Sequence, residues 1–283
     1  MIDISKIDYA MLDQPEILMF LFHPRPEWGG SGVRTQGQDV LIPVEDEIVI
    51  GARFHRVDKA APNILFFHGN GEIAADYDDM GPVYNRIGIN FFPVDYRGYG
   101  RSTGEPTITA MMRDCHLIFD FVKKWLHNEG CEGPFILMGR SLGSASALEL
   151  AAHYTEQVDG LIVESGFAFS GPLLQLLGVD LRSIGFREDA GLGNLDKIQR
   201  VDKPTLIIHA ELDHIIPFSD GQALYDASPA PDKTLLKIPD ANHNDIFMRG
   251  LSDYMAAVRT LAQKVTQHPS SPGSARLTES GNR

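Results

Sequence analysis

Apolar residues in this chain fall into two alternating patterns. Short, near-continuous runs rich in Val, Ile, Leu and Phe occur at residues 63–68 (NILFFH), 90–95 (NFFPVD), 134–139 (PFILMG), 160–164 (GLIVE), 205–209 (TLIIH) and 234–238 (TLLKI). Runs of this length without polar alternation suit strands covered on both faces, as in a parallel sheet. Two further strands are expected at 39–44 and 48–55, joined by a turn at Glu45, Asp46 and Glu47. Between the runs lie segments of helical period. Residues 110–127 place Met111, Cys115, Ile118, Phe119, Val122 and Leu126 on one face, and helices are also expected at 142–154, 221–227 and 245–265. Strand and helix in alternation predict an α/β fold: a mostly parallel central sheet with helices on both faces and right-handed crossovers.

One stretch breaks the rhythm. Residues 165–201 exceed an ordinary connection and carry Leu173, Leu174, Leu176, Leu177, Val179 and Leu181 punctuated by glycines. The expectation is a small cap over one end of the sheet, the alternative a plain crossover helix with ragged ends. The organisation is then an N-terminal extension over 1–38, a main domain over 39–267 with the cap inserted at about 165–201, and a polar tail over 268–283 that lacks apolar period and is expected to be disordered.

The candidate chemistry sits at strand ends. Gly139-Arg140-Ser141-Leu142-Gly143 is a G-x-S-x-G placed between a strand and a helix. By chance the pentapeptide arises in roughly one chain in ten of this size, so its placement is what gives it meaning. A serine on a sharp strand-to-helix turn projects its hydroxyl above the sheet, and the helix start aims free N–H groups at a developing oxyanion. His68-Gly69-Asn70-Gly71 ends an earlier strand, where a glycine-rich turn can direct a second N–H inward. The N–H groups of Leu142 and Asn70 are the candidate oxyanion donors. A phosphate loop is excluded because no Lys follows in the required place.

A nucleophilic serine needs a base, and the base an acid to fix its tautomer. In the order Ser, acid, His along the chain, Asp213 (in HAELDHIIP) and His243 (in DANHNDI) each follow a strand. Ser141, Asp213 and His243 are therefore the candidate triad, with Glu164 at the end of GLIVE as the rival acid. Asp240 and Asp245 read as loop structure, and His209 as a core residue.

Composition narrows the classes. The formal charge is −13 over 283 residues, without a Lys/Arg cluster, which disfavours nucleic-acid binding. Cys115 and Cys131 form no CxxC pair and read as buried, reduced thiols. No HExxH or other metal-ligand set is visible, so neither metal nor cofactor is expected. The apolar run at 17–22 is far too short to span a bilayer, which takes about 20 residues, and the acidic start is a poor signal peptide. The expected location is the cytoplasm.

The motifs HGNGE (68–72), DYRGYGRSTGEPT (95–107), GRSLGSA (139–145), AELDHIIP (210–217) and NHNDI (242–246) together resemble the α/β-hydrolase superfamily, and within it the branch of α/β-hydrolase-domain depalmitoylases and their bacterial relatives. The likeness runs from about residue 40 to 265. It implies a serine hydrolase acting through an acyl-enzyme on a small carboxylic ester or thioester, with an apolar acyl group suggested by the cap. Two alternatives stay open: a peptidase or amidase with the same triad, and a non-catalytic ligand-binding protein on the same fold. There are two departures. Ala210 stands where Gly is common, and the palmitoylated cysteine cluster of the membrane-bound relatives is absent, so no stable membrane anchor is expected.

Overall fold

The structure is a computed structural model that describes residues 2–28 and 37–267; the expected disordered tail at 268–283 lies outside them. Eight strands form one sheet: β1 (Gln38–Glu45), β2 (Ile48–Phe54), β3 (Asn63–Phe67), β4 (Asn90–Val94), β5 (Phe135–Arg140), β6 (Gly160–Glu164), β7 (Thr205–Ala210) and β8 (Lys233–Ile238). Their order is β1-β2-β4-β3-β5-β6-β7-β8. The β1/β2 hairpin joins antiparallel at one edge, and every pairing from β4 to β8 is parallel.

The continuous apolar runs are explained by the two layers they feed. In β3, Leu65 and Phe67 face one core and Ile64 and Phe66 the other; in β6, Leu161 and Val163 oppose Ile162. This is the period of two expected of strands covered on both faces. The first face carries α1 (Pro15–Leu21), the long α3 (Ile108–Asn128), α4 (Gly143–His153), α5 (Ser170–Leu176), α6 (Asn194–Ile198) and α7 (Phe218–Ala227). The second carries α2 (Gly81–Arg86) and α8 (Ile246–Gln267). Thr107 starts α3 by accepting the Ala110 N–H at 3.0 Å, the capping that frees a helix start from orphan donors. None of the described helices is long and apolar enough to cross a membrane.

Short helices escape the periodicity reading. α1, α2, α5 and α6 have seven, six, seven and five residues, too few for a 3.6-residue period to emerge. Helix α1 nonetheless matters, because Ile17 and Leu21 are buried in the first core. Residues 165–201 hold α5 and α6 with a 3-10 turn between them.

Outside the strand ends, the sheet edge buries a charged group. Arg53 pairs with Glu27, Asp39 and Asp78, and the neighbouring His55 is 1% exposed. Burial, helped by the Arg53 guanidinium, pushes the His55 imidazole from its ordinary 6.5 down to about 4. Asp78 lies 3.5 Å from its Nε2, but Asp78 is itself paired with Arg53. A folded-state value below the unfolded one means that stability is complete above about pH 6.5 and is lost as pH falls towards 4, because only the unfolded chain accepts the proton. Urea denaturation across that window is expected to show wild type losing stability more steeply than His55→Asn. Equal slopes would mean that His55 takes its proton in the folded state.

Candidate active site

Four loops at the C-terminal ends of β3, β5, β7 and β8 build the site, the edge where open α/β sheets place ligands. Ser141 follows β5 with φ of +51°, a strained value for a residue with a Cβ. Its backbone is pinned: the Ser141 N–H donates to Glu164 O at 2.9 Å, and Ser141 O accepts the Ser144 hydroxyl at 2.6 Å. Close packing makes the flanking glycines necessary. A Cβ on Gly139 would strike the Gly143 carbonyl, and one on Gly143 would strike the Phe67 carbonyl at the end of β3.

The three candidate triad side chains come together. His243 Nε2 lies 3.0 Å from Ser141 Oγ, and His243 Nδ1 lies 2.8 Å from Asp213 Oδ2. A carboxylate only accepts, so Nδ1 carries the proton and Nε2 offers its lone pair to the serine hydroxyl. The other carboxylate oxygen, Asp213 Oδ1, accepts the N–H groups of Ile215 and Ile216 at 2.9 and 2.8 Å. Burial would push Asp213 up, but the hydrogen bond and charge of His243 and these two N–H groups outweigh it and hold the carboxyl below its ordinary value. His209 Nε2 donates to Ile216 O at 2.8 Å, bracing the same loop from beneath. All three triad residues are less than a tenth exposed.

Glu164, the rival acid, faces elsewhere. Its carboxylate accepts from Arg140 Nε at 3.1 Å and from the Tyr254 hydroxyl at 2.7 Å, and it makes no hydrogen bond to the His243 ring.

The candidate oxyanion donors can be found by accounting for amides. In the loop after β3, Gly69 N–H goes to Glu72 Oε2 at 2.7 Å, Glu72 N–H to Gly69 O at 3.3 Å, Ile73 N–H to Asp76 Oδ2 at 3.0 Å and Ala74 N–H to Asp95 Oδ1 at 2.7 Å. Gly71 N–H meets the Tyr99 hydroxyl. Asn70 N–H donates to no acceptor among the described residues, and neither does Leu142 N–H, which precedes α4. The Gly69 carbonyl accepts from His68 Nδ1 at 2.8 Å, and a trans peptide sends the attached Asn70 N–H the opposite way.

Comparison with known proteins follows the same lines. Residues 58–179 match the family model described as serine aminopeptidase, S33. The chain is 32% identical over 204 residues to alpha/beta hydrolase domain-containing protein 17B of Homo sapiens, covering 68% of this chain and 65% of that protein. It is 27% identical to the uncharacterized protein YfhR of Salmonella typhi, over 70% of each. Matches to the curated protein 17B relatives thus span just under two thirds of their length. Among solved structures it superposes on the Pyrococcus furiosus esterase Pf2001 with a TM-score of 0.67 at 17% identity, covering 86% of this chain and 98% of that one. The Paleococcus ferrophilus monoacylglycerol lipase gives 0.61 at 16%, covering 76% and 98%. The chain has the α/β-hydrolase fold.

In this chain of α/β-hydrolase fold one residue at the site was not singled out from the sequence as functional. Arg140, the second position of the serine motif, is buried and places its donors on two loops and a strand end. Nη1 pairs with Glu72, Nε with Glu164, and Nη2 donates to the His243 carbonyl at 2.8 Å. Burial would raise Glu72, but Arg140, His68, the Tyr77 hydroxyl and Gly69 N–H together hold it below its ordinary value. Away from the site, His116, Glu149 and His153 have ligand-like spacing, yet Lys197 Nζ sits 2.8 Å from Glu149 and fills the role of counter-ion.

Removing one partner of a buried ion pair leaves the other charge uncompensated, at a cost of about 3–5 kcal/mol. Arg140→Leu is expected to lose about that much in urea unfolding, and Glu72→Gln in the same background to recover part of it. A loss under about 1 kcal/mol would mean that the carboxylates regain water and that the Arg140 network is dispensable.

Proposed function

We propose that this chain is a serine hydrolase that cleaves a carboxylic ester or thioester through an acyl-enzyme. The observation that carries the reading is the chain of contacts from Asp213 through His243 to a strained, pinned Ser141. In the proposed reaction Ser141 Oγ attacks the substrate carbonyl carbon while His243 Nε2 takes its proton. Asp213 stabilises the resulting imidazolium, and the N–H groups of Leu142 and Asn70 receive the oxyanion. Collapse of the tetrahedral adduct breaks the bond to the leaving alcohol or thiol, which recovers the proton from His243. Water, activated by the same histidine, then releases the acid.

Ester cleavage is supported by the esterase and lipase structures that share the fold, and thioester cleavage by the motif likeness to the depalmitoylase branch. We further propose that residues 165–201 cap the site and favour an apolar acyl group. The part-exposed Phe169 and Leu176 support this. Cys115 and Cys131 are free and buried, which supports a reducing, cytoplasmic setting. A second reading, cleavage of an amide by the same triad, is favoured by the match to the serine aminopeptidase model. Parallel assays on p-nitrophenyl esters, acyl thioesters and aminoacyl anilides separate the two, and faster anilide turnover would decide for the amide.

Ser141→Ala is expected to lower ester turnover by about 10⁴-fold or more and to abolish fluorophosphonate labelling. Retention of even about a tenth of the activity would exclude Ser141 as nucleophile. The acid is tested by comparing Asp213→Asn with Glu164→Gln. A neutral amide at Asp213 cannot stabilise imidazolium, so a loss of about 10⁴-fold is expected there, the size known for the same change in a serine protease. Glu164→Gln is expected to cost less than about tenfold in folded protein. The reverse ranking, with both variants native by circular dichroism, would move the acid to Glu164.

A further inference from the structure

The loop that carries Asn70 is gripped from outside by a segment far from any catalytic motif. The Asn70 side chain makes three hydrogen bonds: Oδ1 accepts the His23 N–H at 2.8 Å and the Tyr99 hydroxyl at 2.7 Å, and Nδ2 donates to His23 Nδ1 at 2.8 Å. The backbone N–H of His23 can only donate, so the amide oxygen must face it, which turns Nδ2 to the ring and makes Nδ1 the acceptor. Two residues on, Arg25 Nε donates to Gly71 O at 2.7 Å and its Nη2 pairs with Asp76.

We propose that residues 23–25 are a clamp that sets the direction of the Asn70 N–H, with the Asn70 side chain as latch and His23 and Arg25 as positioning residues. The proposal rests on the serine-hydrolase reading given above.

The clamp is anchored at both ends. Upstream, Ile17, Leu21 and Phe22 are buried in the first core. Downstream, Gly100 N–H donates to Arg25 O at 2.9 Å and Glu27 N–H to Gly100 O at 3.0 Å, and Glu27 pairs with Arg53. What it grips needs holding. Asn70 lies between Gly69 and Gly71, the latter at φ +77°, so neighbouring side chains supply no restraint. An oxyanion donor acts by being aimed before charge develops, and displacement by about 1 Å can cost on the order of 10²-fold. The latch ties the Cβ of the donor's own residue to a second part of the fold, while Arg140 and Glu72 hold Gly69 from within.

The test uses the full chain with Asn70→Ala, His23→Ala and the double variant, all of which keep the Asn70 N–H. The readouts are kcat and KM on a p-nitrophenyl ester and inhibition by a trifluoromethyl ketone, whose adduct with Ser141 places an oxyanion in the hole. Circular dichroism verifies the fold. Asn70→Ala is expected to lower kcat by about 10- to 100-fold with KM changed less than threefold, and to weaken the ketone by a similar factor. His23→Ala, which keeps the backbone N–H donor, is expected to lose about three- to tenfold. The double variant is expected to match Asn70→Ala alone, because the ring acts only through the amide it touches. Wild-type kcat and ketone affinity in Asn70→Ala would overturn the clamp. So would a raised KM with kcat intact, or a full additional loss from His23→Ala in the Asn70→Ala background. A wild-type chain that fluorophosphonate leaves unlabelled, and that cleaves no ester, thioester or anilide, would instead sink the serine reading and the clamp with it. Labelled and active wild type with an inert Ser141→Ala isolates the clamp as the point under test.

Discussion

A guanidinium buried at the carboxyl edge of the sheet ties this site together. Desolvating Arg140 costs several kcal/mol unless its donors find partners, and the partners it finds lie on separate segments: Glu72 after β3, Glu164 at the end of β6 and the His243 carbonyl after β8. Its own backbone leads into Ser141. The positions of Ser141, the loop after β3 and the loop bearing His243 are therefore not independent. Each closes one side of a single charge-neutralising cage, and Tyr77 and Tyr254 donate to the remaining carboxylate oxygens. A shift in any one loop would leave a buried charge short of a partner, which is why the geometry at Ser141 can be narrow without a bound substrate to enforce it.

The cage also explains why two carboxylates near the serine have different environments. Asp213 accepts from the imidazole and from two backbone N–H groups, and is held below its ordinary value despite burial. Glu164 is buried beside Arg140, and burial wins there, leaving its carboxyl above the ordinary range. Its oxygens are taken by Arg140 and Tyr254, and it makes no hydrogen bond to the His243 ring. Environment, rather than proximity to a strand end, separates the two candidates that the order of residues along the chain left open.

The strands of the sheet were legible because each is a short apolar run, and the long helices because α3 runs for 21 residues and α8, kinked at Gly250, continues from there to Gln267, enough for helical period to emerge. The short α1, α2, α5 and α6 were not, since their burial depends on what the sheet places beneath them. At the site, Ser141, Asp213, His243, Leu142 and Asn70 were each readable as candidates from a local motif at a strand end, and the structure brings the side chains of the first three into contact. Arg140 stood in plain view inside the serine motif, but its function depends on Glu72 and His243, which are 68 and 103 residues away. Only an unpaired charge amid apolar strand residues hinted that it must find buried partners. His23 offered no signal at all, because its contact with Asn70 spans 47 residues.

These long-range contacts divide the labour around one small loop. The peptide between Gly69 and Asn70 is fixed on its carbonyl side by His68 and Glu72, so its N–H must point away from them. Neighbouring amides are already engaged by Glu72, Tyr99, Asp76 and Asp95. Buried or half-buried N–H groups seldom go without an acceptor, and leaving that of Asn70 free is a cost that packing alone does not explain. The other unpartnered donor, Leu142 N–H, lies at the start of α4, where the helix dipole favours negative charge. Two donors without acceptors among the described residues, one at the elbow and one in the loop after β3, are the groups that the proposed oxyanion site would use. Arg140 cannot take that role, since its guanidinium is already neutralised by Glu72 and Glu164. In the proposed reaction the oxyanion is then left to neutral N–H donors, whose aim rather than charge decides how well they stabilise it.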